Sequence, residues 1–322
     1  NQLLSILTPQ HGGTFIDCTF GGGGYSSAIL SYPKTKVIAI DRDKNVSSLA
    51  EKIKKKFPKR FKFINDKFSS LDQIKDLKIK PKAIIFDLGF STHQIKDHKR
   101  GFSFDSSSPL DMRMGKNAIS AFDVVNNFTE ESLALIFKKL GEEKDSKRIA
   151  KEIVFKKKNN QIIYANDLAK IISRVKKNYF YSKTNPATKV FQALRMFVNQ
   201  EVTELITGLV SATKLLEKNG KIIVVSFHSI EDRIIKKYFQ TYSNLNSNPS
   251  RYVPSEKKNN SKTLFFLKSN SALIPSKDEI IKNRASRSAK MRFAVRNENN
   301  FFYPDLFADY FRDYLTLEGL RL

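Results

Sequence analysis

The sequence is short of three things. It has one cysteine, Cys18, in 322 residues, so no intrachain disulfide can form and nothing points to an oxidising compartment. Its apolar runs, such as 83–86 and 222–225, are only a few residues long, far below the roughly 18 that a membrane-spanning helix needs. With no secretory pattern at the start, the cytoplasm is the expected location and no membrane the expected partner. Acids are the third shortage, with 32 Asp and Glu against 57 Lys and Arg for a formal charge of +25. Such an excess suits a polyanion, because Lys and Arg release the counterions condensed on nucleic acid. A Lys- and Asn-rich composition also arises in an AT-biased genome, so charge alone leaves both readings open. No internal repeat is present, and a start at Asn1 rather than Met leaves a short leader as an expectation.

What the chain has is enough apolar material for a core: 40% hydrophobic residues and 26 Phe, which sets it apart from charged disordered chains. Its length suggests two domains. Runs at 14–17, 36–41, 61–66 and 82–87 are short and β-rich, and the first, second and fourth end directly on Asp17, Asp41 and Asp87. Nearly continuous apolar strands separated by helix-length segments predict a parallel sheet covered on both faces. From about 98 to 181 the strand rhythm stops, and 130–140, 144–158 and 166–177 carry helical spacing. A long amphipathic helix is expected over 187–216, striped by Val190, Leu194, Phe197, Val198, Val202 and Leu205 and stopped by Asn219-Gly220. The sheet then resumes with a strand at 221–227 and a helix at 231–240. Residues 243–262 read as a surface loop, and 263–267 as a late strand. The segment 277–296 holds seven basic residues against two acidic ones, and the aromatic-rich 299–322 should pack on the body.

In a doubly wound sheet, ligands bind outside the carboxyl ends of the strands. Three acids at such ends, in a chain poor in acids, mark a crevice. A carboxylate after the second strand suits a ribose diol, and glycines after the first let backbone approach a ligand closely. A dinucleotide fingerprint would need a third glycine where Ser27 stands. Asp17-Cys18-Thr19-Phe20-Gly21-Gly22-Gly23-Gly24 instead fits the D-x-x-x-G-x-G loop that methyltransferases wrap around S-adenosylmethionine. Each feature has an ordinary structural alternative: a flexible turn for the glycines, helix capping for Asp41 and Asp87.

Longer motifs narrow the choice. Asp87-Leu88-Gly89-Phe90-Ser91-Thr92-His93-Gln94, Arg100-Gly101-Phe102-Ser103-Phe104 and Pro109-Leu110-Asp111-Met112-Arg113-Met114 resemble the diagnostic run of the bacterial ribosomal RNA small-subunit methyltransferase H family, also called MraW. Residues 21–26, Thr188 to Arg195, Ser226 to Arg233 and Asn283 to Arg292 agree with it in the family's order. The resemblance implies a Rossmann-like, class I S-adenosylmethionine-dependent methyltransferase sheet with a helical insertion domain between the fourth and fifth strands. Its expected parts are 1–98, the first part of the methyltransferase domain; 99–185, the helical insertion that would recognise substrate; and 186–322, the second part with its basic segment. It also implies N4-methylation of a decoding-centre cytidine of 16S rRNA, cytidine 1402 by that resemblance, with S-adenosylmethionine as donor and the small ribosomal subunit as partner.

By position, the family's cofactor contacts fall on Gly23, Gly24, Tyr25, Asp41, Phe68, Asp87 and Gln94. Asp41 would hold the ribose hydroxyls, Phe68 would lie on adenine, with Asp66 as a rival and plain core as the alternative, and Gln94 would bond near the methionine end. Three departures stand out: Tyr25 replaces a usual His, Phe90 a small aliphatic, and Thr92-His93 a Ser and small residue; the family's apolar leader is expected ahead of Asn1. Candidates for catalysis are Asp87, Asp111, Arg113 and His228, with Ser226 and Asp232 nearby. Carboxylates can accept from cytosine N4 and Arg can satisfy O2 and N3, while His228 has the pKa range for a proton relay but also suits a structural hydrogen bond. Arg284, Arg287, Lys290 and Arg292 are expected to hold RNA phosphates, a solvated basic face being the alternative. No metal site is expected. Two other classes remain at this point, a non-catalytic ribosome-assembly factor with a vestigial crevice and an NAD-dependent oxidoreductase.

Overall fold

The computed structural model describes residues 2–74, 80–89, 100–104, 107–115, 117, 119–176, 185–243 and 263–320. Strands β1 (Gly13–Asp17), β2 (Thr35–Ile40), β3 (Phe61–Ile64), β4 (Ala83–Asp87), β5 (Lys221–Ser226), β6 (Phe265–Phe266) and β7 (Lys290–Arg296) form one sheet in the order β3-β2-β1-β4-β5-β7-β6. The first five are joined by parallel pairings, and β7 runs antiparallel to both β5 and β6. Ala83, Ile84, Ile85 and Phe86 are all buried, as are Ile222 to Val225. Burial of consecutive residues means that both faces of the sheet are covered, as the unbroken apolar runs predict. Strand order reverses between β1 and β4, which opens a crevice at their carboxyl ends. This is the expected doubly wound sheet, parallel through its first five strands.

Helices α1 (Gln2–Leu7), α2 (Gly24–Leu30) and α3 (Ser47–Lys56) accompany the first strands. The chain as a whole divides into two compact units: a sheet unit of residues 1–89 and 204–307, and a helical unit of 90–203 and 308–322. The helical unit holds α4 (Ala121–Asn127), α5 (Glu130–Gly141), α6 (Ser146–Lys157), α7 (Ala165–Val175) and α8 (Thr188–Asn199). Its bounds are wider than 99–185, because α8 packs on α5. The fit is close: a Cβ on Gly141 would come within 2.4 Å of the Lys189 carbonyl oxygen. Leu133, Ile136, Phe137, Leu140, Ile149, Ile153, Leu168 and Ile172 are its buried core.

Two expectations are corrected. The helix predicted over 187–216 is two, α8 and α9 (Glu201–Leu215), separated at Gln200, which is left-handed with φ 51° and ψ 44°. The stripe continues across the break, so periodicity hides it. Side chains make the break: Asn199 turns to bond the backbone of Met112 and Met114. Glu318 caps the start of α9, accepting from Val202 N, Thr203 N and Thr203 Oγ1 at 2.7–3.0 Å.

The basic segment 277–296 is not one face. It forms α11 (Lys277–Lys282), a 3-10 turn at Arg284–Ser288 and then β7. Between β5 and α11 in sequence lies α10 (Ser229–Thr241), and α12 (Asp305–Asp309) and α13 (Arg312–Glu318) follow β7. In the sheet unit the aromatic tail packs as expected, with the Phe307 ring 4.6 Å from Tyr238.

Candidate functional site

The crevice is built from the ends of β1, β2 and β4. Asp17, last in β1, is 1% exposed. Its Oδ2 accepts from Ser26 Oγ at 2.7 Å and its Oδ1 from Thr19 N at 3.3 Å, which ties the strand end to the first turn of α2. Thr19 Oγ1 in turn accepts from the Asp87 amide at 2.7 Å. Asp17 is thus the hub that fixes β1, β4 and α2 to one another.

Between these supports runs the glycine loop. Gly23 has φ 70°, and a Cβ there would sit 2.7 Å from Ile53 Cδ1 and 3.0 Å from the Phe20 ring. Only glycine meets both demands. At Gly22 and Gly24 a Cβ would meet nothing within 4 Å, so the loop is closed against the core and open on its outer side. Asp41, just past β2, braces it: its Oδ2 accepts from Gly21 N at 2.8 Å and its Oδ1 from Asp43 N at 2.9 Å. Each oxygen keeps a further lone pair. Burial raises the Asp41 carboxyl above its usual range, with these two amide bonds opposing.

At the end of β4, Asp87 is held by the Gly89 amide at 3.3 Å and by the Tyr25 hydroxyl. Burial pushes the Asp87 carboxyl up to about 6, with the Glu231 charge adding to the rise and the Gly89 and Tyr25 bonds opposing it. Asp17 is pushed to about 6 chiefly by burial, and the charges of Asp87 and Asp41 contribute. Burial also raises the Tyr25 phenol, so it stays a donor to Asp87. Asp17 therefore feels the charges of both Asp87 and Asp41, and a cation beside it would relieve that repulsion.

Phe68 opens the 3-10 turn Phe68–Gln73 after β3 and meets the Phe86 ring edge-on at 5.3 Å. Gly208 of α9 makes room for it, since a Cβ there would lie 2.5 Å from Phe68 Cδ2. The ring is half-buried, leaving part of its surface to a ligand. Gln94 lies outside the described residues, as do Phe90, Thr92 and His93.

His228 is committed to its helix. It is the N-cap of α10, with Nδ1 accepting from Glu231 N at 3.4 Å, while Glu231 Oε2 accepts from Phe227 N at 2.8 Å and His228 N at 3.3 Å. This reciprocal capping favours the structural reading of His228 over the proton relay. Asp232, one turn into α10, accepts from Arg292 Nε at 2.7 Å and Lys290 Nζ at 3.3 Å. Arg292 also donates to the Asn270 carbonyl. Of the four expected phosphate ligands, Arg292 thus has a structural role in the sheet, Lys290 is exposed and shares Asp232, and Arg284 and Arg287 are exposed. The alternation in Lys290-Met291-Arg292-Phe293-Ala294-Val295-Arg296 is the signal for β7 that charge obscured.

Asp111 and Arg113 lie in the helical unit and bind each other. Asp111 Oδ1 accepts from Arg113 Nε at 2.8 Å and from its amide at 2.9 Å, and Oδ2 accepts from Arg113 Nη2 at 2.7 Å. Burial opposes ionisation of Asp111, but the Arg113 bonds and the charges of Arg113 and Arg100 outweigh it and hold the carboxyl below its usual range. Met112 between them is left-handed, φ 56°. Asn199, fully buried, clamps this turn: Nδ2 donates to Met112 O at 2.7 Å and Oδ1 accepts from Met114 N at 2.8 Å. Sequence reasoning missed Asn199, and a buried Asn ending an apolar helix was the available signal.

Comparison with known proteins follows this geometry. A family model described as the MraW methylase family matches residues 1–297. The chain is 41% identical over 295 residues to the ribosomal RNA small subunit methyltransferase H of Rickettsia africae, covering 91% of this chain and 95% of that protein. It is 41% identical over 299 residues to the protein of the same name from Ehrlichia canis, covering 92% and 97%. Among solved structures, an rRNA methylase from Streptococcus thermophilus aligns over 92% of this chain and 98% of its own at 10% identity, with a TM-score of 0.39.

Proposed function

The chain belongs to the MraW methylase family, and from that membership we propose that it transfers a methyl group from S-adenosylmethionine to N4 of a decoding-centre cytidine in 16S rRNA. It is a methyltransferase, and its relatives are named for the small-subunit RNA. The observation that carries the donor assignment is the acidic crevice: Asp17, Asp41 and Asp87 at the ends of β1, β2 and β4, with Asp17 feeling the charges of the other two, in a chain of charge +25. Beside them lie the open outer side of Gly22 and Gly24 and the half-buried Phe68 ring. These residues fit a ligand with a ribose, an adenine and a cationic centre.

When bound, the donor supplies a methyl carbon made electrophilic by a positively charged sulfur. Asp41 would accept from the ribose hydroxyls, Gly23 and Gly24 would line the loop side, and Phe68 would lie along adenine, with Gln94 and Tyr25 completing the contacts. Cytosine N4 is a poor nucleophile because its lone pair is delocalised into the ring. Asp87, ionised above about pH 6, would accept from the N4 amine and orient its lone pair toward the methyl carbon. N4 would take that carbon with the sulfur as leaving group, and the proton it sheds would pass by way of Asp87 to water. Positioning of this kind is worth up to about 7–11 kcal/mol in model systems. Asp111 and Arg113 would present the turn that reads the base, which must be unstacked from the RNA to be reached. Arg284, Arg287 and Lys290 would meet phosphates in the assembled subunit, and the cytoplasm is where that particle is made.

The test is to incubate the protein with methyl-labelled S-adenosylmethionine and small subunits lacking the modification, then digest the RNA to nucleosides. Label in N4-methylcytidine from 16S rRNA is expected. Label in another nucleoside, or none, would overturn the assignment.

A further inference from the structure

The ends of β4 and β5 bring an aromatic ring beside Asp87. Asp87 pairs in register with Val225 of β5, and the Leu88 amide donates to the Val225 carbonyl at 2.9 Å. Two residues further along each strand, Phe227 lies against Gly89: a Cβ on that glycine would come 2.6 Å from Phe227 Cε2 and 2.8 Å from Cζ. A methyl there would push the ring away, so glycine is what lets the ring approach. The same Gly89 donates its amide to Asp87 Oδ1 at 3.3 Å. Tyr25 and Phe227 both pack on the core face that carries Ile85 and Val225. The ring therefore stands on the face of the sheet where the Tyr25 hydroxyl bonds Asp87.

The ring is held without being fully covered. Glu231 Oε2, in the first turn of α10, accepts from the Phe227 amide at 2.8 Å, and Asp87 feels the charge of the same Glu231. Phe15, Phe20 and Phe86 are at most 2% exposed, whereas Phe227 is half-buried. Sheet order decides what can use its free surface. The donor crevice lies at the ends of β2, β1 and β4, and β5 is the next strand on the other side of β4. Phe227 is thus across Asp87 from the donor side. The N4 lone pair of cytosine is conjugated with the ring and stands perpendicular to its plane. To attack a methyl carbon, the base must turn one face toward that carbon, and its other face is left for the protein to hold. An aromatic side chain holds a base that has left its stack.

We propose that Phe227 is the platform on which the target cytosine stacks, with Asp87 at its N4 edge, an inference that rests on the rRNA reading above. The base would lie with one face on the Phe227 ring and the other toward the methyl carbon. Stacking here replaces the stacking that the base loses on leaving the RNA. Phe227 would touch the base and not the donor, so its loss should show in transfer to RNA and spare donor binding.

Two variants of the full chain separate a platform from plain core packing. Phe227→Leu keeps an apolar side chain against Gly89 but removes the flat face, and Phe227→Tyr keeps that face. Each is compared with wild type in methyl transfer to small subunits lacking the modification, in S-adenosylhomocysteine affinity by calorimetry and in thermal unfolding. Phe227→Leu should lose at least tenfold in kcat/KM for the subunit, about 1.4 kcal/mol and within the range that base stacking on an aromatic is worth. Its S-adenosylhomocysteine affinity should stay within about twofold, and Phe227→Tyr should keep transfer within about threefold of wild type. A Leu variant as active as wild type, or a Tyr variant as impaired as Leu, would refute the platform and leave Phe227 to the core. If Phe227→Leu unfolds early, Gly89→Ala reads the same point with the phenyl ring retained but displaced. Transfer down at least tenfold with S-adenosylhomocysteine affinity kept is expected there, and unchanged transfer would overturn the proposal. Failure of the wild-type chain to form N4-methylcytidine would instead overturn the rRNA reading itself.

Discussion

Asp87 and Tyr25 are the residue pair on which the chemistry can be tested most sharply. The Tyr25 hydroxyl bonds Asp87 and opposes the rise that burial imposes on its carboxyl, which stands at about 6. If the carboxylate is the working form, kcat/KM should climb as pH rises through about 6. A hydrogen bond to the charged form lowers a carboxyl's pKa, so losing the donor raises it. Tyr25→Phe should therefore move the acidic limb of the profile to higher pH while activity well above the limb is largely kept. A limb that stays put or moves down in a methyl-transfer pH series would separate Asp87 from the proton. The three acids at the strand ends were legible in the sequence because acids are rare in it. The Tyr25–Asp87 bond was not legible, since 62 residues separate the two and only the adjacency of β1 and β4 brings them together.

Among the elements, α9 shows how a helix far along the chain shapes the donor pocket. Gly208 is a poor helix former, and Ala there would favour the helix by about 1 kcal/mol on propensity alone. The new methyl would also lie 2.5 Å from Phe68 Cδ2, so the ring must move. Gly208→Ala is expected to weaken S-adenosylmethionine binding about tenfold, roughly 1.4 kcal/mol, with little loss of thermal stability, as calorimetry on the two proteins will show. In the helical unit the sensitive feature is an ion pair. Lys176 Nζ lies 2.6 Å from Glu143 Oε2, with both side chains nearly inaccessible, and it also donates to Pro186 O at 3.2 Å. Removing one partner strands a buried charge, at about 3–5 kcal/mol. Lys176→Met should lower the denaturation midpoint accordingly, whereas Lys176→Met/Glu143→Leu should recover much of the loss. The helices of this unit were readable from their apolar spacing, but the pair was not, because Lys and Glu in such a charged chain ordinarily mean solvent. For the same reason β7 was hidden: its period-two pattern carries a basic residue at three of seven positions.

For the molecule as a whole, the charge of +25 divides by function. Part of the basic excess is structural, as in Arg292 on Asp232 and in Arg296, which donates to the Leu264, Asn297 and Asn299 carbonyls from a buried position. Arg284, Arg287, Lys236 and Lys268 are exposed and remain available to a polyanion, while the acids that matter are drawn into the crevice. Two ligands should then respond differently to ionic strength. Each phosphate neutralised on a single strand contributes about −0.7 to the slope of log affinity against log salt. S-adenosylmethionine carries one sulfonium into a buried acidic site, where screening is weak. Raising salt from about 50 to 200 mM should cost RNA affinity about tenfold or more if three or more phosphates are held, and donor affinity no more than about twofold. Parallel titrations by filter binding and calorimetry read both slopes. Equal slopes would mean that the exposed basic residues do not meet the RNA, and the excess charge would then be left to genomic composition.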